Sequence, residues 1–86
     1  MKVKYTKHAL VSLEERGIKK NIVEETLKTP GQVIKGGANR ETAQSIFKRD
    51  DKDFLFRVIY TKKEDSIKVI TAYWTSKIDK YWEGKK

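Results

Sequence analysis

The only proline in this 86-residue chain, Pro30, marks a change in hydrophobic period that restricts the fold to a mixed one. Before it, apolar residues recur at helical spacing: Leu10 and Leu13, then Ile18, Ile22, Val23 and Leu27. After it, the period falls to two. Phe54, Phe56, Val58 and Tyr60 alternate with Leu55, Arg57, Ile59 and Thr61, while Val69, Thr71, Tyr73 and Thr75 alternate with Lys68, Ile70, Ala72 and Trp74. A helical pattern cannot serve as a strand or the reverse, so the chain divides into helices before Pro30 and strands after it. Both of these strands carry apolar residues on both faces. One face must cover the helices, and the other packs on the terminal segment or takes a ligand.

Local signals set the boundaries. Thr6 is a good N-cap for a first helix ending at Gly17, with Tyr5 and Leu10 placed to close a hydrophobic staple. On a helical wheel, Leu10 and Leu13 share one face; His8, Ser12 and Glu15 lie opposite, with Arg16 on the flank. The second helix stops at Thr29-Pro30-Gly31. Strands are expected over Val3–Tyr5, Gln32–Lys35, Thr42–Arg49, Phe54–Lys63 and Ile67–Thr75, the last four joined by short turns as an antiparallel meander. Ser76 with Asp79 reads as a capping box for a short C-terminal helix bearing Ile78, Tyr81 and Trp82 on one side. The expected fold is α+β, order β-α-α-β-β-β-β: two N-terminal helices on a mainly antiparallel sheet of four to five strands. Residues 1–86 form a single domain, with Leu10, Leu13, Ile22, Val23, Leu27, Phe56 and Val58 in its core.

Composition limits the chemistry. There is no cysteine and one histidine, which argues against disulfides and a zinc centre; no metal and no cofactor is implied. No apolar run approaches the ~20 residues of a membrane span, so a soluble, cytoplasmic protein is expected and no membrane partner. The formal net charge is +8. Residues 1–43 hold nine Lys/Arg against five Asp/Glu, and residues 44–86 hold eleven against seven, so each half contributes +4. A basic surface spread this evenly suits a polyanion, nucleic acid first, although a solvated lysine-rich face would show the same balance.

His8-Ala9-Leu10, Glu14-Glu15-Arg16-Gly17-Ile18, the stop at Thr29-Pro30 and the late strand Val69-Ile70-Thr71-Ala72-Tyr73 resemble the DUF4258 family, grouped with the RelE/ParE toxin superfamily. The resemblance covers nearly the whole chain. It implies a compact α+β fold, a toxin-type ribonuclease activity and a prokaryotic antitoxin encoded alongside. One departure stands out: the family often has a basic residue where this chain has Ser12.

The residues themselves supply parts for metal-independent RNA cleavage. His8, in the first turn where the helix dipole disfavours the imidazolium, is the candidate general base or acid. Arg16 and Arg57 can grip phosphate bidentately, and Tyr73 can donate a proton. These four form the candidate catalytic set, with Lys7, Arg49, Tyr60 and Lys77 as candidate nucleic-acid contacts. Each also has an ordinary structural use: Arg16 can lock a helix end, Arg57 can sit in an ion pair, and the tyrosines can pack across strands. Two classes stay open, a toxin-like endoribonuclease acting on RNA and a non-catalytic basic module binding nucleic acid or a partner protein; self-association is compatible with either. Convergence of His8, Arg16 and Arg57 on one groove would favour the enzyme.

Overall fold

The computed structural model describes residues 2–84. Along the chain run β1 (Lys2–Tyr5), α1 (Lys7–Arg16), α2 (Lys20–Lys28), β2 (Gln32–Lys35), β3 (Arg40–Arg49), β4 (Lys52–Lys63), β5 (Ser66–Thr75) and the single turn α3 (Ile78–Tyr81). The strands form one sheet in the order β1-β5-β4-β3-β2, antiparallel except for the parallel β1–β5 pair. The α+β layout matches the sequence pattern. The expected meander is β2 to β5, and β1 adds the outer strand beside β5.

Helix α1 is set by its ends. Thr6 Oγ1 accepts from the Ala9 N–H at 3.0 Å. At the other end Gly17 takes the left-handed conformation, φ 64°, and Ile18 N–H returns to the Leu13 carbonyl at 2.9 Å. The buried face of α1 differs from the one drawn on the helical wheel. Ala9, Ser12 and Leu13 point inward, whereas Leu10 is 43% exposed and leaves the predicted core. Small side chains at positions 9 and 12 let the helix lie close over β5 and β1, and Leu10 falls outside that contact. Helix α2 lies over β3 and β4 and buries Val23, Thr26 and Leu27; Ile18, expected to open its stripe, is buried in the connection before it. Thr26 Oγ1 satisfies itself on the Ile22 carbonyl at 2.9 Å.

One apolar cluster joins Ala9, Leu13, Val23 and Leu27 from the helices to Ala43, Phe56, Val58, Tyr60, Val69 and Ala72 from the sheet. Strict alternation would put Val69 with Thr71 and Tyr73. Instead, Ile59 pairs with Thr71 and Tyr60 with Val69, so β5 carries an extra residue at Ile70. This bulge moves Val69 to the helix side, fully buried, and leaves Thr71 and Tyr73 on the reverse face. The turns are equally specific. Asp50 and Asp51 (φ 50° and 63°) make a two-residue hairpin, and the β2–β3 turn places its positive φ on Ala38 and Asn39 rather than on Gly36-Gly37. The N-cap of α3 falls on Lys77 and not on the expected Ser76; Lys77 makes no side-chain cap bond, and its N–H bonds to Thr75 Oγ1 at 3.1 Å.

Candidate nucleic-acid interface

The reverse face of the sheet is organised by cross-strand register. Tyr73, Arg57, Gln44 and Gln32 are direct neighbours on β5, β4, β3 and β2. Their side chains bond in the same order. Arg57 donates to the Tyr73 hydroxyl at 2.6 Å and to Gln44 Oε1 at 2.9 Å, and Gln44 Nε2 donates to Gln32 Oε1 at 2.8 Å. The C-terminal segment fastens onto this ladder. Gln44 Nε2 also donates to the Tyr81 carbonyl at 3.1 Å, Gln32 Nε2 to the Glu83 carbonyl, and Glu83 N–H returns to Gln32 Oε1. Trp82 packs against Gly31, where an added Cβ would stand 3.0 Å from the indole. The fully buried Gln44 amide is thus satisfied, as a buried polar group must be.

Arg57 is the electrostatic centre of this ladder. It is half-buried, with the Tyr81 ring 4.1 Å from its guanidinium carbon, and the groups that hold it are a tyrosine hydroxyl, an amide and an aromatic face. All are neutral. A half-buried cation with no carboxylate bonded to it among the described residues keeps an attractive field for an anion, and the fork is already oriented by the ladder.

Arg16 reaches the same strand from the other side. Strand β1 leaves β5 at the Tyr5–Val69 pair, where Thr6 N–H bonds to the Val69 carbonyl, so among the described residues the outer edge of β5 beyond that point has no strand partner. Arg16, at the end of α1, donates to Thr71 Oγ1 and to the Ala72 carbonyl, both at 3.0 Å. The arginine caps an open sheet edge. Thr71 and Tyr73 share the reverse face about 7 Å apart, so Arg16 and Arg57 approach neighbouring positions of one strand.

His8 is not brought to that point. It is exposed in the first turn of α1, its Nε2 3.4 Å from Ser12 Oγ. His8, Ser12 and Arg16 form one i, i+4, i+8 row, with about 12 Å of helix rise between the histidine and the arginine. The remaining candidates scatter. Arg49 covers Trp74 at 4.5 Å and Phe54 at 5.9 Å on the helix-bearing face, opposite Arg57. Tyr60 is 5% exposed in the core with its hydroxyl on Glu41 at 2.9 Å, which leaves no free ring face for a base; burial, then the Glu41 carboxylate, pushes its pKa up. Tyr5 is raised in the same way by burial and Glu24. Lys7 and Lys77 are exposed at the starts of α1 and α3. Gln32, Gln44 and Tyr81 escaped sequence reasoning. Two glutamines among strand residues give a signal only once the register shows them side by side.

The family profile of DUF4258, a domain of unknown function, matches residues 5–74. The chain belongs to the DUF4258 family. His8, Arg16, Arg57 and Tyr73 lie inside the matched span of this DUF4258 domain, whereas α3 with Tyr81 lies beyond it. Comparison with curated proteins and with solved structures gave no match. Among the described residues no group of three or more His, Cys, Asp or Glu is placed to hold a metal, and no helix is long and apolar enough to cross a membrane.

Proposed function

We propose that this DUF4258 domain binds RNA through the reverse face of its sheet, with Arg57 and Tyr73 as phosphate contacts and Arg16 beside them. The observation that carries this reading is the Arg57 guanidinium, oriented by a hydrogen-bonded ladder and held by neutral groups. A net charge of +8 supplies the long-range attraction. Binding measured by fluorescence anisotropy on a short labelled RNA should weaken steeply with salt, and Arg57→Gln should lower affinity about tenfold, the scale of one charge-assisted phosphate contact. Salt-independent binding, or full affinity in Arg57→Gln, would remove the proposal.

A second reading keeps the RelE/ParE-like toxin: a metal-independent endoribonuclease working in a prokaryotic cytoplasm and restrained by a cognate antitoxin. What favours it is the shared row of His8, Ser12 and Arg16 ending at Thr71, two residues from Tyr73. It ranks second because His8 stands two turns from the arginine. In this reading His8→Ala costs roughly 10²–10⁴ in cleavage rate without loss of stability. Induced expression of wild type and His8→Ala in a bacterial host, scored for growth and RNA integrity, decides between them. Growth arrest and RNA loss that disappear in His8→Ala establish the enzyme, and equal behaviour of the two proteins eliminates it.

A further inference from the structure

Resting on that reading, we propose that the reverse face holds a single-stranded phosphodiester chain along a track from Arg57 to a cationic patch at the β4–β5 hairpin. The register builds the patch. Lys4, Lys68, Thr61 and Arg40 are consecutive neighbours across β1, β5, β4 and β3, and behind them run Lys2, Ser66 and Lys63. All five of these cations are exposed. Lys4, Thr61, Lys63, Ser66 and Lys68 line a shallow depression. Neither row contains an acidic residue; of those next to them in sequence, Glu41 lies on the helix-bearing face, where it accepts from the Tyr60 hydroxyl, and Glu64 and Asp65 form the hairpin turn. Between patch and Arg57 lies an uncharged, half-buried row, Thr71, Ile59, Thr42 and Ile34.

Like charges set side by side on a sheet repel, so such a row costs stability unless an anion sits over it. Lysines on an exposed edge strand discourage sheet-to-sheet pairing, which accounts for Lys2 and Lys4 on β1. It does not account for Lys68, whose strand is flanked on both sides at that point. From Arg57 to Lys63 the face extends about 20 Å along β4, six residues of strand. That length suits a short segment at the lower end of the ~4–16 nucleotides held by small single-strand-binding folds. Helix α3 decides against a duplex. Tyr81 stands against Arg57, so a rigid double helix meets α3 before it reaches the guanidinium, whereas a flexible strand bends beneath it. Phosphates are the recognised groups, so RNA and DNA strands of equal length bind alike.

The test is anisotropy with labelled oligouridylate and oligothymidylate, from dinucleotide to decanucleotide, and with a duplex of equal charge. Lys4→Ala/Lys68→Ala is compared with Lys19→Ala/Lys28→Ala, which removes the same charge from the ends of α2. The track predicts that the first pair weakens the decanucleotide about tenfold and lowers the log–log salt slope by about 1.4, with little effect on the dinucleotide. The second pair should change affinity less than about twofold, the non-local part of the electrostatics. Equal losses from both pairs, or duplex binding as tight as single-strand binding, would overturn the track. If Arg57→Gln abolishes binding at every length while Lys4→Ala/Lys68→Ala has no effect, the track fails and the Arg57 reading survives. Failure of the wild-type chain to bind any oligomer rejects both.

Discussion

The two faces of the sheet are built from the same strands but on opposite principles. The helix-bearing face is apolar and closed: Phe56, Val58, Val69 and Ala72 are fully buried beneath α1 and α2. The reverse face carries a polar ladder roofed by one turn of helix, then an uncharged row, then exposed lysines. Burial of apolar area is non-directional and tolerant, so the first face supplies stability. A ladder of side-chain hydrogen bonds is directional and intolerant, so the second fixes where a few groups stand. On the proposed function, stability and recognition fall on opposite sides of one layer in this small domain.

The largest expected effect breaks the closed face. Phe56→Ala removes a fully buried ring that packs on Trp74, with centroids 4.7 Å apart, and should destabilise the domain by about 3–5 kcal/mol in chemical denaturation. A loss below about 1 kcal/mol would mean that the helices do not close over this face as described. Gln44→Leu comes next. It strips the ladder of its buried amide and leaves Arg57 Nε and the Tyr81 carbonyl unanswered, about 1–3 kcal/mol. Amide exchange at residues 78–82 should accelerate more than in the helix α1. Unchanged protection there would show that the ladder does not hold the C-terminal turn.

Alkaline titration gives a smaller effect and sharpens the contrast from the closed side. The Tyr5 and Tyr60 phenols have raised pKa values in the folded protein, from burial first and then from Glu24 and Glu41. Above about pH 10 the unfolded chain releases these protons while the folded chain retains them. Stability contributed below pH 10 is therefore lost as pH rises beyond it. Tyr60→Phe should flatten that decline in melting temperature, and an unaltered slope would contradict the assignment. Smallest of all is Leu10→Lys. The residue lies outside the core on α1, so a change within about ±0.5 kcal/mol is expected; a core-sized loss would restore the helical-wheel reading.

Much of the fold was legible because its signals are local. Thr6 and Gly17 bracket α1, Pro30 ends the helical half, and period-two runs mark β4 and β5. The face of α1 was less legible because tight packing there selects Ala9 and Ser12 over Leu10, a preference created by the partner strand. The bulge at Ile70 is also non-local: no residue of β5 announces it, and it emerges from matching the strand to Tyr60 and to β1 at once. For the site, Arg57 stood out as a charge in an apolar strand, and Tyr73 lies directly beside it. Gln32, Gln44 and Tyr81 could not be found this way, since they are separated widely in sequence and meet only through register and the returning C-terminus. Tyr60 misled for a different reason: it alternates in phase with Phe56 and Val58, both expected in the core, so its parity already set it on the buried face and its choice as a base contact overlooked that.

The central claim, that recognition resides on the reverse face independently of core stability, is tested most directly by the RNA affinity of Arg57→Gln measured with its melting curve. The expected result is an affinity loss of about tenfold with a melting temperature within a few degrees of wild type. Wild-type affinity in this variant, or a loss of affinity that merely follows unfolding, would contradict it.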